Sequence, residues 1–221
     1  MASSDVEIAN LAAVKIGAEA RITSLDQDRK VARELNAVWA IERRATLRAG
    51  SFNFSTRRAE LASAVLDPAD SIAPWAYAYP EPAGCLRLLA VLDTASGYEK
   101  ADAGYQLEGG PDGQRVLSND AGPLLVKYIV DVPEPARWDD AFAEAFACRL
   151  AWRCGKRVTG SSFDAEAALR DFRLALGDAN RVDARENPPI EQSDDSWIDA
   201  RLSGGGSTWD RGWVNGGASS V

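Results

Sequence analysis

The chain of 221 residues is acidic, with 33 Asp and Glu residues against 25 Lys and Arg residues, and it contains no histidine. Its formal charge of -8 argues against a general nucleic-acid-binding protein, which needs clustered cations to neutralise phosphates. Without histidine, Ser–His–Asp and Cys–His catalysis are excluded, and a zinc site would lack its commonest ligand.

The N-terminal region has the signals of a first helix and none of a signal peptide. Its opening residues are acidic where a signal peptide would carry Lys or Arg, so secretion by that route is not expected. Ser4 and Glu7 have the spacing of a capping box, and Gly17 is a typical stop, so we predict a helix over residues 5–17. No apolar run in the chain approaches the roughly 20 residues of a membrane span, so no membrane partner is expected.

A second and longer helix is predicted over residues 27–65. Leu35 and Trp39 are among the apolar residues that fall on one side of it, and arginines crowd its flanks. Gly50 interrupts the pattern, but the apolar residues that follow suggest that the helix continues. Asp67–Pro68 then ends it, because the residue before a proline disfavours helical geometry.

A β-sheet insertion is predicted over about residues 74–134. Three prolines within the segment PWAYAYPEPAG forbid a helix and leave an extended, aromatic stretch. The segment CLRLLAVLD reads as a strand, and further strands are predicted at 98–108, 115–117 and 124–132, joined by turns at GGPDG and SNDAG. Together these strands are predicted to form one small antiparallel sheet between helices.

The segment over residues 138–157 is predicted to be the central helix of the core. At helical spacing, Phe142, Phe146 and Leu150 share one broad apolar face, and small residues line most of the remainder. A helix that is apolar around most of its circumference belongs in an interior, with other helices on several sides. Only a narrow stripe is charged: Arg149, Arg153 and Lys156.

A last helix is predicted over residues 162–184, with its start near Ser161 or Ser162; if Ser161 is the cap, Asp164 completes a second capping box. After Glu186, a proline pair and two glycine runs cannot support a packed element, yet this stretch holds three of the seven tryptophans. We predict an arm that orders on a partner, although an unstructured end with incidental tryptophans is the alternative. Its predicted partner-binding residues are Trp197, Ile198, Leu202, Trp209 and Trp213.

The predicted fold class is α+β: a mainly α-helical bundle with a small inserted antiparallel β-sheet and an extended C-terminal arm. One domain is predicted over residues 1–185, and the arm over residues 186–221. The three cysteines form no CxxC pair, so we expect them to be small buried hydrophobic residues in a protein made in a reducing cytosol.

In this order and spacing, residues 5–185 resemble the head-to-tail adaptor proteins of short-tailed bacteriophages, the tail tubular protein A family. The most specific parts are the proline-aromatic segment Tyr77–Leu89 and the central helix that ends in VTGS. The opening ANLAAVKIGAEARITSLDQD and the stretch SFNFSTRRAEL also carry the resemblance. Family members commonly have a tryptophan where this chain has Phe52, and the stretch after Glu186 matches least well.

The resemblance implies a structural virion protein, assembled in the host bacterial cytoplasm, that forms a ring of about twelve copies by head-to-tail contacts. The ring would lie at the capsid vertex between the portal protein and the tail nozzle protein. DNA would pass through its channel without specific binding. No catalytic, cofactor-binding or metal-binding residue is expected. A basic flank of the long helix is predicted either to contact an acidic neighbouring subunit or to be a solvated face: Arg43, Arg44, Arg48, Arg57 and Arg58.

Two other functions stay open. A tail-associated peptidoglycan hydrolase would need two carboxylates about 5–10 Å apart, one of them with a raised pKa. Glu42, Glu60 and Glu144 are candidates, but sequence spacing alone cannot pair them across a fold. A soluble binding module unrelated to virions is the second alternative, because likeness of fold never fixes function.

Overall fold

The computed structural model describes residues 4–18, 21–62, 64–65, 74–94, 97, 99–100, 104–110 and 113–186. The chain divides into two units, Met1–Glu186 and Asn187–Val221. The second unit lies outside the described residues, so the partner-binding roles predicted for its side chains stay predictions. Those side chains are Trp197, Ile198, Leu202, Trp209 and Trp213.

The described part of the first unit contains four α-helices and seven β-strands, so the predicted α+β class is confirmed. The helices are α1 (Asp5–Ile16), α2 (Lys30–Ala49), α3 (Asp140–Thr159) and α4 (Ala165–Glu186). The strands are β1 (Thr56–Leu61), β2 (Ala64–Val65), β3 (Tyr77–Pro80), β4 (Cys85–Leu92), β5 (Tyr105–Gly110), β6 (Gly113–Ser118) and β7 (Leu124–Val130).

Helix α3 is the centre of the helical core, as its sequence predicts. Phe142, Phe146 and Leu150 are fully buried, and α1, α2 and α4 all pack against α3. The rings of Trp138 and Trp39 meet Phe146 edge to face, with centroids 5.4 and 5.0 Å away. Burial of these large side chains supplies the main driving force for assembling the four helices.

The ends of α1 and the start of α3 follow the capping rules. The Ser4 hydroxyl accepts from the backbone N–H of Glu7, and the Glu7 carboxylate accepts from the backbone N–H of Ser4, which completes the predicted capping box. Gly17 ends α1 with a φ of 78°, a conformation that glycine adopts without steric cost. Asp139 caps α3 by accepting from the backbone N–H of Ala141.

The predicted start of the last helix near Ser161 or Ser162 is wrong, and Ser161 is not its cap. Residues Gly160–Ser162 form a short 3-10 turn, and α4 begins only at Ala165. The Asp164 carboxylate accepts from the backbone N–H groups of Glu166 and Ala167, so Asp164 is the N-cap and Ser161 is not. The charge on Asp164 also suits the positive end of the helix dipole, an advantage that serine lacks.

The long helix predicted over residues 27–65 is wrong beyond Ala49. Gly50 has extended backbone geometry, and residues 56–61 form β1, which pairs antiparallel with β7. The Arg87 guanidinium donates to the carbonyl oxygens of Arg48 and Gly50, which satisfies acceptors left open at the end of α2. Strand pairing with a distant part of the chain overrides the apolar pattern that suggested a continuous helix.

The β-region contains two antiparallel sheets, whereas one was predicted. Their strand orders are β1-β7-β4 and β2-β3-β6-β5, so two strands precede the predicted insertion. Tyr79 of β3 and Val116 of β6 share an apolar cluster with Leu88 of β4 and Val126 of β7, so the two sheets pack together. Ile129 of β7 instead belongs to the helical core, so the strands are not a separate layer at one side.

Gly50 provides a test of the junction between α2 and β1. A Cβ at this position would lie 2.3 Å from the Phe52 ring, which is buried, and 2.9 Å from the side-chain oxygen of Asn180. Replacing Gly50 by alanine is therefore expected to lower the free energy of unfolding by about 1–3 kcal/mol, as overpacking does. Urea denaturation followed by circular dichroism measures the change.

Gly177, in the middle of α4, is the matched control. A Cβ there would meet nothing within 4 Å. The Gly177→Ala variant is expected to gain about 0.5–1 kcal/mol of stability, because alanine has less conformational freedom to lose than glycine. Equal gains in both variants would show that the contact between Gly50 and the Phe52 ring is not tight.

Candidate functional site

Arg43 does not belong to an exposed basic flank. Its Nε and Nη2 atoms donate to the two carboxylate oxygens of Asp131 at 2.9 and 2.8 Å, and the residue is only 8% exposed. This two-pronged pair joins α2 to the segment that follows β7. The prediction that Arg43 contacts a neighbouring subunit is corrected, because its guanidinium is used inside the subunit.

Arg57 and Arg58 lie on strand β1 and not on the helix where they were predicted. Arg57 is half-buried and donates to the carbonyl oxygens of Phe54 and Thr56. Arg58 is exposed and lies opposite Lys127 of β7 in the strand register. The five arginines therefore do not form one surface, because the chain leaves the helix at Gly50.

Arg44 and Arg48 remain on an exposed surface of α2. Successive positions three or four residues apart lie on the same side of a helix, here the side that faces away from α3. Ile41 lies at the centre of this side with 61% of its surface exposed. We call this surface the α2 face and define it by five exposed residues: Arg33, Ala37, Ile41, Arg44 and Arg48.

A groove lies between α1 and α4, with α3 at its base, and has a volume of about 320 Å³. Small residues form its floor: Ala141, Cys148, Ala175 and Ala179. Charged residues and one leucine form its rim: Lys15, Glu144, Asp171, Leu174 and Asp178. We call this set of residues the α1/α4 groove.

The charges on the rim of the groove are mainly acidic. Lys15 of α1 binds Glu144 of α3 at 2.6 Å, and Asp178 binds Arg181 one turn further along α4 at 2.6 Å. Asp171 adds a further exposed carboxylate on α4, beside the 67% exposed Leu174. The groove therefore combines an apolar floor with an acidic α4 edge.

The α2 face and the groove lie on nearly opposite sides of α3. Phe146 of α3 contacts Trp39 of α2, with ring centroids 5.0 Å apart. Glu144 and Cys148, which line the groove, are each two residues from Phe146 along α3. Two residues turn about 200° around a helix, so α2 and the groove point in different directions.

The three carboxylates considered for hydrolysis lie in three different surroundings. Glu42 of α2 is 3% exposed, and its two oxygens each accept from the Nε atom of an arginine of α3 at 2.6 Å. Glu144 is paired with Lys15 on the other side of α3. Glu60 occupies an exposed position of strand β1. Glu42 and Glu144 therefore have separate partners on different sides of α3, and Glu60 lies apart from both in the sheet.

Burial governs the chemistry of the three thiols. Cys148 and Cys154 are buried in α3, and Cys85 is half-buried in β4. Burial raises the pKa of Cys154 to about 11 and that of Cys85 to about 12, and it raises the pKa of Cys148 as well. The thiolate is the reactive form, so these cysteines are poor nucleophiles at neutral pH.

Sequence reasoning missed both Ile41 and the α1/α4 groove. Ile41 could have been found from the sequence, because it is an isoleucine outside the apolar stripe of its helix. The groove could not, because it depends on how three helices from distant parts of the chain pack.

Within the described ranges, no group of three or more Asp, Glu or Cys residues is placed to hold a metal ion. Among the same residues, none of the helices combines the length and apolarity of a membrane span. Compared with known protein families and with curated protein sequences, the chain matches none.

Proposed function

We propose that this chain is a ring-forming head-to-tail adaptor of a short-tailed bacteriophage, which joins the portal protein to the tail nozzle protein. The resemblance of residues 5–185 to such adaptors suggests the role. The structural observation that supports it is the presence of two unlike exposed surfaces, the α2 face and the α1/α4 groove, on nearly opposite sides of α3. A closed ring of identical subunits with head-to-tail contacts needs two different surfaces that complement each other.

The interior of the subunit also suits a structural role. Buried ion pairs join α2 to α3 through Glu42 and join α2 to the segment after β7 through Arg43 and Asp131. Such contacts, together with the aromatic core, fix the helices relative to one another. A subunit held in this way keeps the spacing of its two outer surfaces, which a ring of about twelve copies requires.

The channel of such a ring would carry DNA without binding it specifically. A chain with a formal charge of -8 repels phosphates overall, so passing DNA would meet little resistance from ion pairing. Arg43, Arg57 and Arg87 donate hydrogen bonds within the subunit, which further reduces the number of cations directed at a ligand.

The proposal assigns the C-terminal arm to docking on the portal protein or on a neighbouring subunit. Residues 186–221 contain six acidic residues against two arginines, which disfavours DNA as their target. Tryptophans separated by glycine and serine suit isolated anchors that fill pockets on a protein surface. Trp197, Trp209 and Trp213 would be the principal contacts, with Ile198 and Leu202 beside them.

Removing residues 190–221 is expected to weaken binding to DNA-filled heads by at least about tenfold, because the proposed anchors carry much of the binding energy. Co-sedimentation of the truncated chain with heads measures the change. A full-length variant in which Trp197, Trp209 and Trp213 are alanine should show a similar loss. A chain that ends at Val214 keeps the tryptophans and is the matched control. Unchanged binding of the truncated chain would show that the arm is not the docking element.

Electron microscopy of assembled particles tests the function as a whole. The expected image is a closed ring of about twelve subunits beneath the portal, with a central channel, as head-to-tail contacts produce. A sixfold fibre or a single plug at this position would contradict the proposal.

A further inference from the structure

The α2 face presents an aliphatic side chain surrounded by cations. Ile41 is 61% exposed, and Arg44 and Arg48 follow it at spacings that place them on the same side of the helix. A single exposed aliphatic residue is ordinary on a protein surface. Ile41 can form a subunit contact only if another surface of the same chain has the shape and charge to bind it.

The α1/α4 groove has the complementary shape. Its floor consists of alanines and a buried cysteine, so the groove has room for an aliphatic side chain from outside. Leu174 stands on its α4 edge with 67% of its surface exposed, in a position to contact such a side chain. An aliphatic side chain of a neighbour would bury apolar surface on both partners.

The groove also has the complementary charge. Asp171 and Asp178 lie on either side of Leu174 along the same edge of α4, at positions i−3 and i+4. Seven residues of helix span about 10 Å, a distance that two arginine side chains one turn apart can cover. Arg44 can therefore reach one of the two carboxylates when Ile41 lies beside Leu174. Arg48 donates to the carbonyl oxygen of Leu86 within the subunit, and this exposed hydrogen bond would be exchanged for one to the second carboxylate.

The exposed ion pairs already present do not oppose this contact. Asp178 is bound to Arg181 and Arg33 is bound to Asp28, but both pairs are largely exposed to solvent. Exposed pairs of this kind contribute little and exchange partners readily. The Lys15–Glu144 pair can stay intact at the α1 edge of the groove while the α4 edge receives the arginines.

We infer that the α2 face of one copy binds in the α1/α4 groove of the next copy, with Ile41 beside Leu174 and Arg44 and Arg48 on the acidic α4 edge. The two surfaces differ and lie on nearly opposite sides of α3, so repetition of this contact propagates head to tail and can close a ring. The inference rests on the proposed function and specifies which surfaces form the subunit contact.

A disulfide between the two surfaces tests the contact directly. In the Ile41→Cys, Leu174→Cys double variant, each subunit can be linked to the next, so mild oxidation of assembled particles should give a ladder of covalent multimers on a non-reducing gel. All cross-linking variants carry Cys85→Ser and Cys148→Ala in addition, because Cys85 is only half-buried and Cys148 lines the groove that residue 41 would enter. Cys154 is buried and its pKa is raised to about 11, so it should not contribute to the ladder. Each single variant should stay monomeric on the gel.

The matched control is the Ile41→Cys, Arg173→Cys double variant. Arg173 is exposed and adjoins Leu174 in the chain but is turned about 100° away from it around α4. It should give at least about tenfold less cross-linked product, since a disulfide requires the two Cβ atoms to face each other within about 4.5 Å, and the Cβ of residue 173 points away from the groove. Equal cross-linking of both double variants would overturn the inferred position of Leu174.

Charge reversal provides a second measurement. The Arg44→Asp, Arg48→Asp variant is expected to incorporate into particles at least about tenfold less than the unmodified chain, because like charges then face each other. Adding Asp171→Lys and Asp178→Lys should restore incorporation. A ring seen by microscopy without cross-linking and without charge rescue would overturn the inferred contact but leave the adaptor function standing. Particles without any ring would overturn both.

Discussion

Replacing Glu42 by alanine is expected to lower the free energy of unfolding by about 3 kcal/mol, because it leaves two arginines without their buried partner. The Glu42 carboxylate is 3% exposed and accepts from the Nε atoms of Arg149 and Arg153 at 2.6 Å each. The side chain of Arg149 is only 16% exposed, so its guanidinium cannot recover full hydration. Arg153 is half exposed and can turn towards water, which keeps the loss at the lower end of the range for broken buried pairs.

Aromatic rings make the arrangement around Glu42 more rigid. The guanidinium of Arg149 lies over the ring of Phe172 of α4 at 5.2 Å, and that of Arg153 lies over Trp152 at 5.2 Å. The contact with Phe172 holds the Arg149 guanidinium in place even when the acceptor is removed. Loss of Glu42 therefore leaves a fixed, uncompensated charge between α2, α3 and α4.

Two comparisons separate the charge effect from simple loss of packing. Glu34 of α2 binds Arg157, whose side chain is 69% exposed, so Glu34→Ala is expected to lose less than about 1 kcal/mol. The Glu42→Leu, Arg149→Met double variant should recover most of the stability lost in Glu42→Leu, because apolar replacement of both partners is often neutral. Urea denaturation measures all of these variants. A loss below about 1 kcal/mol for Glu42→Ala would contradict the buried network.

The sequence was sufficient to predict the parts of the fold that local chemistry determines. The capping box of Ser4 and Glu7, the stop at Gly17 and the burial of Phe142 and Phe146 all follow from spacing and residue type within one element. Each of these features concerns residues within about two helical turns of one another, so no knowledge of the tertiary fold was needed.

Features that depend on distant pairing could not be predicted in this way. Residues after Gly50 have an apolar pattern that suits a helix, and only their pairing with β7 makes them a strand. Arg43 looks like an exposed cation on a helix until Asp131, far along the chain, is placed beside it. Local periodicity carries no information on such partners, and tertiary context overrides it.

The candidate surfaces were predicted only in part, for the same reason. Arg44 and Arg48 were recognised as a basic flank because helical spacing is a local property. The groove that could receive them is formed by α1, α3 and α4, whose residues Lys15, Glu144 and Asp171 come from distant parts of the chain. A complementary surface of that kind appears only when the helices are packed.

Phe146 provides the second large expected effect. Its side chain is fully buried in α3, and the rings of Trp39, Trp138 and Phe142 surround it with centroids at 5.0, 5.4 and 6.2 Å. These neighbours belong to α2, to α3 and to the residues just before α3. Because each neighbour is itself held by other contacts, the site cannot collapse to fill a space left at its centre.

Replacing Phe146 by alanine is therefore expected to lower the free energy of unfolding by about 3–5 kcal/mol, from lost burial and from the cavity that remains. Phe146→Leu keeps most of the volume and should lose only about 1–1.5 kcal/mol. Ile41→Ala, on the exposed α2 face, should change the stability of the isolated subunit by less than about 0.5 kcal/mol. Chemical denaturation of the three variants gives these values. If Phe146→Ala lost less than about 1 kcal/mol, α3 would not be the centre of the core, and the opposed positions of the α2 face and the groove would lose their support.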